Sequence, residues 1–392
     1  MPVSHPADLA LRKAERGEQL SADDAYALTS LPDDDLDALC EVAAALRTDA
    51  HGRTLTYSPK AFLPVTNLCR DRCTYCTFRR DPGDAGEWTM SPEEIADWSR
   101  RGRELGCVEA LMCLGDKPEV AFRGFRDLLR GYGAAGTVQY VHTACGIALA
   151  EGLLPHTNAG VLTSEEMALL RPRNVSMGLM LENISARLRD RGMPHQYAPD
   201  KDPGRRMKMI AEAGRLRIPF TSGILIGIGE NEAERVASLL ALRDVHLRYG
   251  HIQEIIVQSF RAKPSTPMAA AADCGEAELL RTVALARVIF GAAMSVQAPP
   301  NLSPSAHRRL IRAGINDWGG ISPLTMDYVN PEAPWPHLDK LAETCRAEGF
   351  TLAPRLPVYE GFVNEAFLDP AMLCAVERMR QDRDADREAL AI

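Results

Sequence analysis

Residues 61–76 read Ala61-Phe62-Leu63-Pro64-Val65-Thr66-Asn67-Leu68-Cys69-Arg70-Asp71-Arg72-Cys73-Thr74-Tyr75-Cys76. The first half is a short apolar run of the kind a buried strand needs. The second half is a loop with cysteines in C-x3-C-x2-C spacing. A cubane of four irons held by three cysteines keeps one iron without a protein ligand, open to a small molecule. A closed zinc site needs four ligands, and the loop contains no further Cys or His to act as the fourth. The spacing points to a 4Fe-4S cluster on Cys69, Cys73 and Cys76, hung from the end of a first strand.

Outward from this stretch, short apolar runs alternate with longer helical patterns, the signature of repeated βα units. Strands are expected near 61–67, 107–114, 153–158, 174–181, 219–227, 252–259, 293–298 and 314–318, with helices between them. In the helix at 276–290, for example, Leu279, Val283, Ala286 and Phe290 mark one apolar face. Eight such units predict an α/β fold, a (β/α)8 TIM-type barrel over 57–321, with its site at the carboxyl ends of the strands. Residues 1–56 are expected to be a helical N-terminal extension, since Leu36, Leu39, Val42, Ala43 and Leu46 repeat at helical spacing behind Asp33-Asp34-Asp35. The Pro-rich stretch Ser322 to Pro336 and the segment Pro354 to Phe362 open a C-terminal cap over 322–392, ending in a charged helical tail from Gln381 to Ile392.

With 392 residues, 46% of them hydrophobic and 25% charged, the chain has an ordinary globular composition. A net charge of −8 with interspersed signs offers no basic face, which argues against nucleic acid. No apolar run reaches the roughly 18 residues of a membrane span, and Met1 to His5 has no signal-peptide core. A cytoplasmic protein with no membrane partner is the expectation. The ten cysteines lack regular spacing outside the one loop, so the others are expected to be reduced thiols.

A C-x3-C-x-aromatic-C loop after the first barrel strand resembles the signature of the radical S-adenosylmethionine superfamily. The resemblance implies that S-adenosyl-L-methionine chelates the open iron and that the reduced cluster cleaves it. It also implies cofactor-binding roles for Tyr75 in the loop, for Gly115 and Asp116 after strand two, and for Glu182 after strand four. Gly223 and Gly227, in Gly223-Ile224-Leu225-Ile226-Gly227-Ile228-Gly229-Glu230, resemble the superfamily's adenine-facing element. Asp116 has an alternative reading as a helix N-cap, and Glu182 one as a partner of a structural Arg.

Longer strings narrow the resemblance: Tyr57 to Lys60, Leu114 to Glu119, Gly152 to Gly160, Gln297 to Leu302 and Ile315 to Gly320. Together they are similar to the small subunits of FO synthases, makers of the deazaflavin chromophore. That similarity implies a hydroxybenzyl adduct of a ribitylaminouracil as substrate, closed to the deazaflavin with loss of ammonia. It further implies a partner radical S-adenosylmethionine subunit that supplies the adduct, and an external low-potential reductant. Asn158, Gln258, Gln297, Asn301 and Asn316 are expected to bind this substrate, and His156 or Asp317 to move protons. The alternatives are a sibling radical enzyme, either the tyrosine-cleaving partner or an aminofutalosine-type enzyme, and a non-catalytic iron-sulfur protein.

Overall fold

One strand that changes neighbours halfway along its length organises the molecule. In the computed structural model, which describes residues 5–390, β1 (Thr54–Thr66) pairs along one edge with β8 (Asp317–Ile321). Its other edge is shared: residues 54–57 pair with β9 (Thr351–Pro354), and residues 60–66 pair with β2 (Glu109–Leu114). The remaining strands are β3 (Leu154–Asn158), β4 (Ser176–Gly178), β5 (Phe220–Ile226), β6 (Ile252–Ser259) and β7 (Ser295–Gln297). All pair in parallel in chain order, and the β1–β2 pairing closes an eight-stranded barrel with β9 outside it.

The expected α/β barrel is therefore present, with two boundary corrections and one addition. β1 starts at Thr54, ahead of the apolar run: residues 54–59 pair with β8 and β9, but their Thr, Tyr and Ser side chains break the continuous hydrophobicity that marks a strand in the sequence. β8 runs from Asp317 to Ile321 and not from 314 to 318. β9 lies within the segment expected to be only cap.

Helices cover the outside. Pro92–Glu104 begins at a capping box in which Ser91 and Glu94 satisfy each other's backbone N–H groups, and Glu232–Tyr249 repeats the device with Asn231 and Glu234. The helices of the N-terminal extension, among them Pro6–Glu15 and Leu36–His51, bury Ala7, Ala10, Leu39 and Ala43 in the core that also holds Leu279, Val283 and Ala286 of Glu276–Phe290. At the amino end of the barrel a second apolar cluster joins Val108, Leu154 and Val175 to Leu356, Val358, Met372 and Val376, so the C-terminal segment plugs the base. The helix Pro370–Leu390 includes most of the expected charged tail. Residues 1–4 and 391–392, with the start of the N-terminal stretch and the last two tail residues, lie outside the described residues. Among the described residues no helix is long and apolar enough to cross a membrane.

Candidate active site

The barrel interior holds a cavity of about 370 Å³ that opens at the carboxyl ends of the strands and reaches down to the base. Cys69, Cys73 and Cys76 line its upper wall, and all three are free thiols. Burial pushes the Cys69 thiol up to about 12 and that of Cys73 up as well. A cationic metal centre would hold such thiols as thiolates. The thiols are spread more widely than ligands of a single ion. Among the described residues, the one set of three or more His, Cys, Asp or Glu with ligand atoms within 4.8 Å of one another is Asp71, Asp116 and Asp200. Zinc would draw its sulfurs to about 2.3 Å from the metal and hence close together, so the donor set fits a wider cluster and not one zinc ion.

The turn after β2 lies directly beneath the cysteine loop. The Asp116 N–H donates to Cys69 Sγ at 3.1 Å, and Arg70 N–H donates to the Asp116 carbonyl at 3.0 Å. Gly115 makes this approach possible, because a Cβ there would collide with the Leu68 carbonyl oxygen and Cys69 Cβ. Asp116 Oδ2 accepts from Val161 N–H at 3.1 Å, while Oδ1 is buried without a partner. Burial, then Asp200 and Asp71, push this carboxyl up to about 7. An orphaned, buried carboxylate oxygen on a cavity wall is a place for a cationic donor.

Glu182 follows β4 in the left-handed region at φ 65, a strained conformation for a non-glycine residue that the structure keeps at the cavity wall. It forms an ion pair with Lys201, not with an Arg, and burial, which raises its pKa, is outweighed by Lys201 and Arg206. Tyr75 also lines the cavity, its hydroxyl 2.9 Å from His195 Nε2.

Asn158, Gln258, Gln297, Asn301 and His156 all line the cavity. His156 Nδ1 lies 2.8 Å from Ser176 Oγ, whose single hydrogen goes to the Pro357 carbonyl at 2.7 Å. Nδ1 must therefore carry the ring proton and donate, which leaves Nε2 as a bare acceptor. Burial holds the ring neutral, with its pKa lowered to about 4.

Four expectations are corrected. Asn316 is a strut between β7 and β8, accepting from Arg287 Nη2 at 2.7 Å and Val296 N–H at 2.8 Å, and it does not line the cavity. Asp317 is wholly buried at the amino end of β8, where it holds Arg355 through two hydrogen bonds of 2.6 and 2.9 Å. Gly223 permits close packing of β5 on β6, since a Cβ would strike the Ile256 carbonyl, and Gly227, at φ 90, packs on Cys274. Neither glycine lines the cavity. Conversely, Lys60, Glu109, Gln253, Glu254, Lys201 and Arg355 line it and were not expected. Glu109 and Glu254 had left a signal: each is the lone charge of its strand, in phase with Cys113 and Gln258 near the strand ends.

The radical SAM superfamily model matches residues 63–242. FO synthase of Streptomyces coelicolor is 48% identical over 384 residues, which are 95% of this chain and 44% of that protein. FO synthase of Mycobacterium tuberculosis is 46% identical over 92% of this chain and 44% of its own length. The chain thus spans less than half the length of these relatives. The 7,8-didemethyl-8-hydroxy-5-deazariboflavin synthase of Methanopyrus kandleri is 45% identical over 84% of this chain and 98% of its own length. Among solved structures, the FeFe-hydrogenase maturase HydG from Carboxydothermus hydrogenoformans aligns at TM-score 0.72 and 19% identity, covering 95% of this chain and 84% of that one. Methylornithine synthase aligns at TM-score 0.67 and 17% identity, covering 88% and 97%. These two likenesses bear on the fold alone.

Proposed function

Because the chain belongs to the 7,8-didemethyl-8-hydroxy-5-deazariboflavin synthase family of the radical S-adenosylmethionine superfamily, we propose that it closes a hydroxybenzyl adduct of ribitylaminouracil to the deazaflavin with loss of ammonia. The observation that carries this reading is the joining, in one cavity, of three free thiols, an orphaned carboxylate oxygen and a polar lower wall.

Cys69, Cys73 and Cys76 would hold the 4Fe-4S cluster, which when bound with S-adenosyl-L-methionine supplies a 5'-deoxyadenosyl radical for hydrogen abstraction. Asp116 Oδ1 is suited to accept from the ammonium group of the cofactor, and the Lys201–Glu182 pair to hold its polar groups. Gly115 keeps the turn that carries Asp116 close to the cysteine loop, and Tyr75 lines the cavity beside it. Asn158, Gln258, Gln297 and Asn301 would orient the adduct by hydrogen bonds. His156 Nε2 accepts a hydrogen bond from a substrate N–H or O–H and, as a weak base, takes up a proton only transiently. The barrel walls exclude water from the reacting carbon. A partner radical subunit would supply the adduct, and a low-potential reductant in the cytoplasm would deliver electrons.

The test is anaerobic incubation of reconstituted protein with reductant, S-adenosyl-L-methionine and the isolated adduct. Fluorescent deazaflavin is expected, with deuterium from the benzylic carbon appearing in 5'-deoxyadenosine. From tyrosine and the diaminouracil, no product is expected until the partner enzyme is added. Cofactor cleavage with the adduct untouched would refute the substrate assignment, and product from tyrosine without a partner would identify the sibling activity.

A further inference from the structure

The base of the cavity is charged, where the interior of such a barrel is ordinarily packed with bulky apolar layers. Lys60 on β1 and Glu109 on β2 face each other across the strand pairing, with Nζ 3.0 Å from Oε1. Glu109 lies four residues below Cys113, about 13 Å along the strand from the rim that carries the cysteines. Room for this pair is built in: Gly320 on β8 has no side chain where a Cβ would overlap the end of Lys60. Burial, which raises the Glu109 pKa, is outweighed chiefly by the Lys60 ammonium, with a hydrogen bond from Ser58, so the carboxylate is charged.

The fold does not demand such a pair, since apolar side chains of similar volume usually replace a buried ion pair without loss of stability. The neighbouring charges on the base are engaged already. Arg355 is held by Glu254 and Asp317, and Glu254 also accepts from the Tyr359 hydroxyl at 3.0 Å and, with its amide turned, from Gln297 at 2.8 Å. Lys60 differs: its ammonium has three donors and one anionic partner, and Glu109 Oε1 lies in no hydrogen bond despite the ion pair. A spare donor beside a spare acceptor, buried and facing a cavity, matches a ligand whose hydroxyl groups both give and accept hydrogen bonds.

We propose that Lys60 and Glu109 are the site that reads the ribityl chain, the one polyol of the substrate, and so fix the adduct with its tail down and its reacting carbon toward the cysteine rim. This rests on the reading under Proposed function. The uracil edge and the phenol are left to the higher wall, where Phe62 and Trp335 stack at 5.2 Å.

The experiment compares two adducts, one with the ribityl chain and one with a methyl group in its place, in wild-type protein and in Lys60→Met, Glu109→Gln and Gly320→Ala. The last variant keeps every charge and displaces only the flexible end of Lys60. Iron content and thermal unfolding establish that each variant is folded. Wild type is expected to favour the ribityl adduct at least about tenfold in kcat/KM, chiefly through KM, and each variant to narrow that preference by about tenfold. Equal use of both adducts by wild type, or full preference retained in all three variants, overturns the proposal and leaves the function standing. Loss of both adducts in parallel marks Lys60 and Glu109 as structural and also overturns it. Cofactor cleavage by wild type with neither adduct converted refutes the substrate assignment and this recognition together.

Discussion

At the residue level, three side chains decide whether the protein carries a cluster. Cys69→Ala, Cys73→Ala or Cys76→Ala is expected to leave the reconstituted protein without a cubane, read as iron, sulfide and the electron paramagnetic signal after reduction; full occupancy in any one of them would remove that cysteine from the ligand set. His156 is expected to remain neutral down to about pH 4, because burial outweighs Glu109 at its side. Ring-carbon shifts in histidine-labelled protein would show this, and a charged ring at pH 6 would contradict it. The cysteine loop, Asp116 and Glu182 were legible because each ends an apolar run, where the barrel rule says to look. Asn316 and Asp317 misled for the same reason: with the last strand placed at 314–318 they fall on the rim, whereas β8 begins at Asp317 and puts them at the base. A shift of three residues at one boundary exchanges the top of a barrel for its bottom.

Among the elements, the turn after β2 and the strand β9 carry the most. Gly115→Ala forces a Cβ into backbone that cannot yield cheaply, so a loss of about 1–3 kcal/mol is expected together with impaired cluster assembly. Normal denaturant stability in that variant would show that the turn relaxes freely. β9 was invisible in the sequence because Thr351–Pro354 is a short edge strand, partly exposed and without an apolar alternation. Its consequence is Arg355, the residue that follows it. Arg355→Ala leaves the Glu254 and Asp317 carboxylates buried without their cation, and about 3–5 kcal/mol should be lost. The urea midpoint measures this, and an unchanged midpoint would show that water replaces the guanidinium.

Across the whole molecule, buried histidines set the response to acid. Burial lowers His156 and His251 to about 4 and His195 to about 3. A base with a depressed folded pKa binds fewer protons folded than unfolded, so its contribution is present above about 6.5 and is lost as pH falls toward 4. Glu254, raised to about 7 by burial and Asp317 against the pull of Arg355, acts in the opposite sense, favouring the fold as pH falls from 7. Asp116, also raised to about 7, acts in the same sense as Glu254; with three such rings against these two carboxyls, the unfolding temperature is expected to drop between pH 6.5 and 4. His251→Gln, whose side chain contacts the Ile210 carbonyl and not the cavity, should flatten the slope, and an unaltered slope would exclude His251 as a contributor.

The late position of Arg355 in the chain also orders events during synthesis. Glu254 leaves the ribosome 101 residues before the guanidinium that neutralises it, a delay of roughly 5–20 s at ordinary elongation rates. Until then Glu254, joined by Asp317 only for the last 38 residues, lacks the guanidinium that neutralises it, so both carboxylates stay hydrated or protonated. The strands can collapse together in that interval, but the base cannot become dry. Final closure of the cavity floor thus waits on the arrival of one arginine.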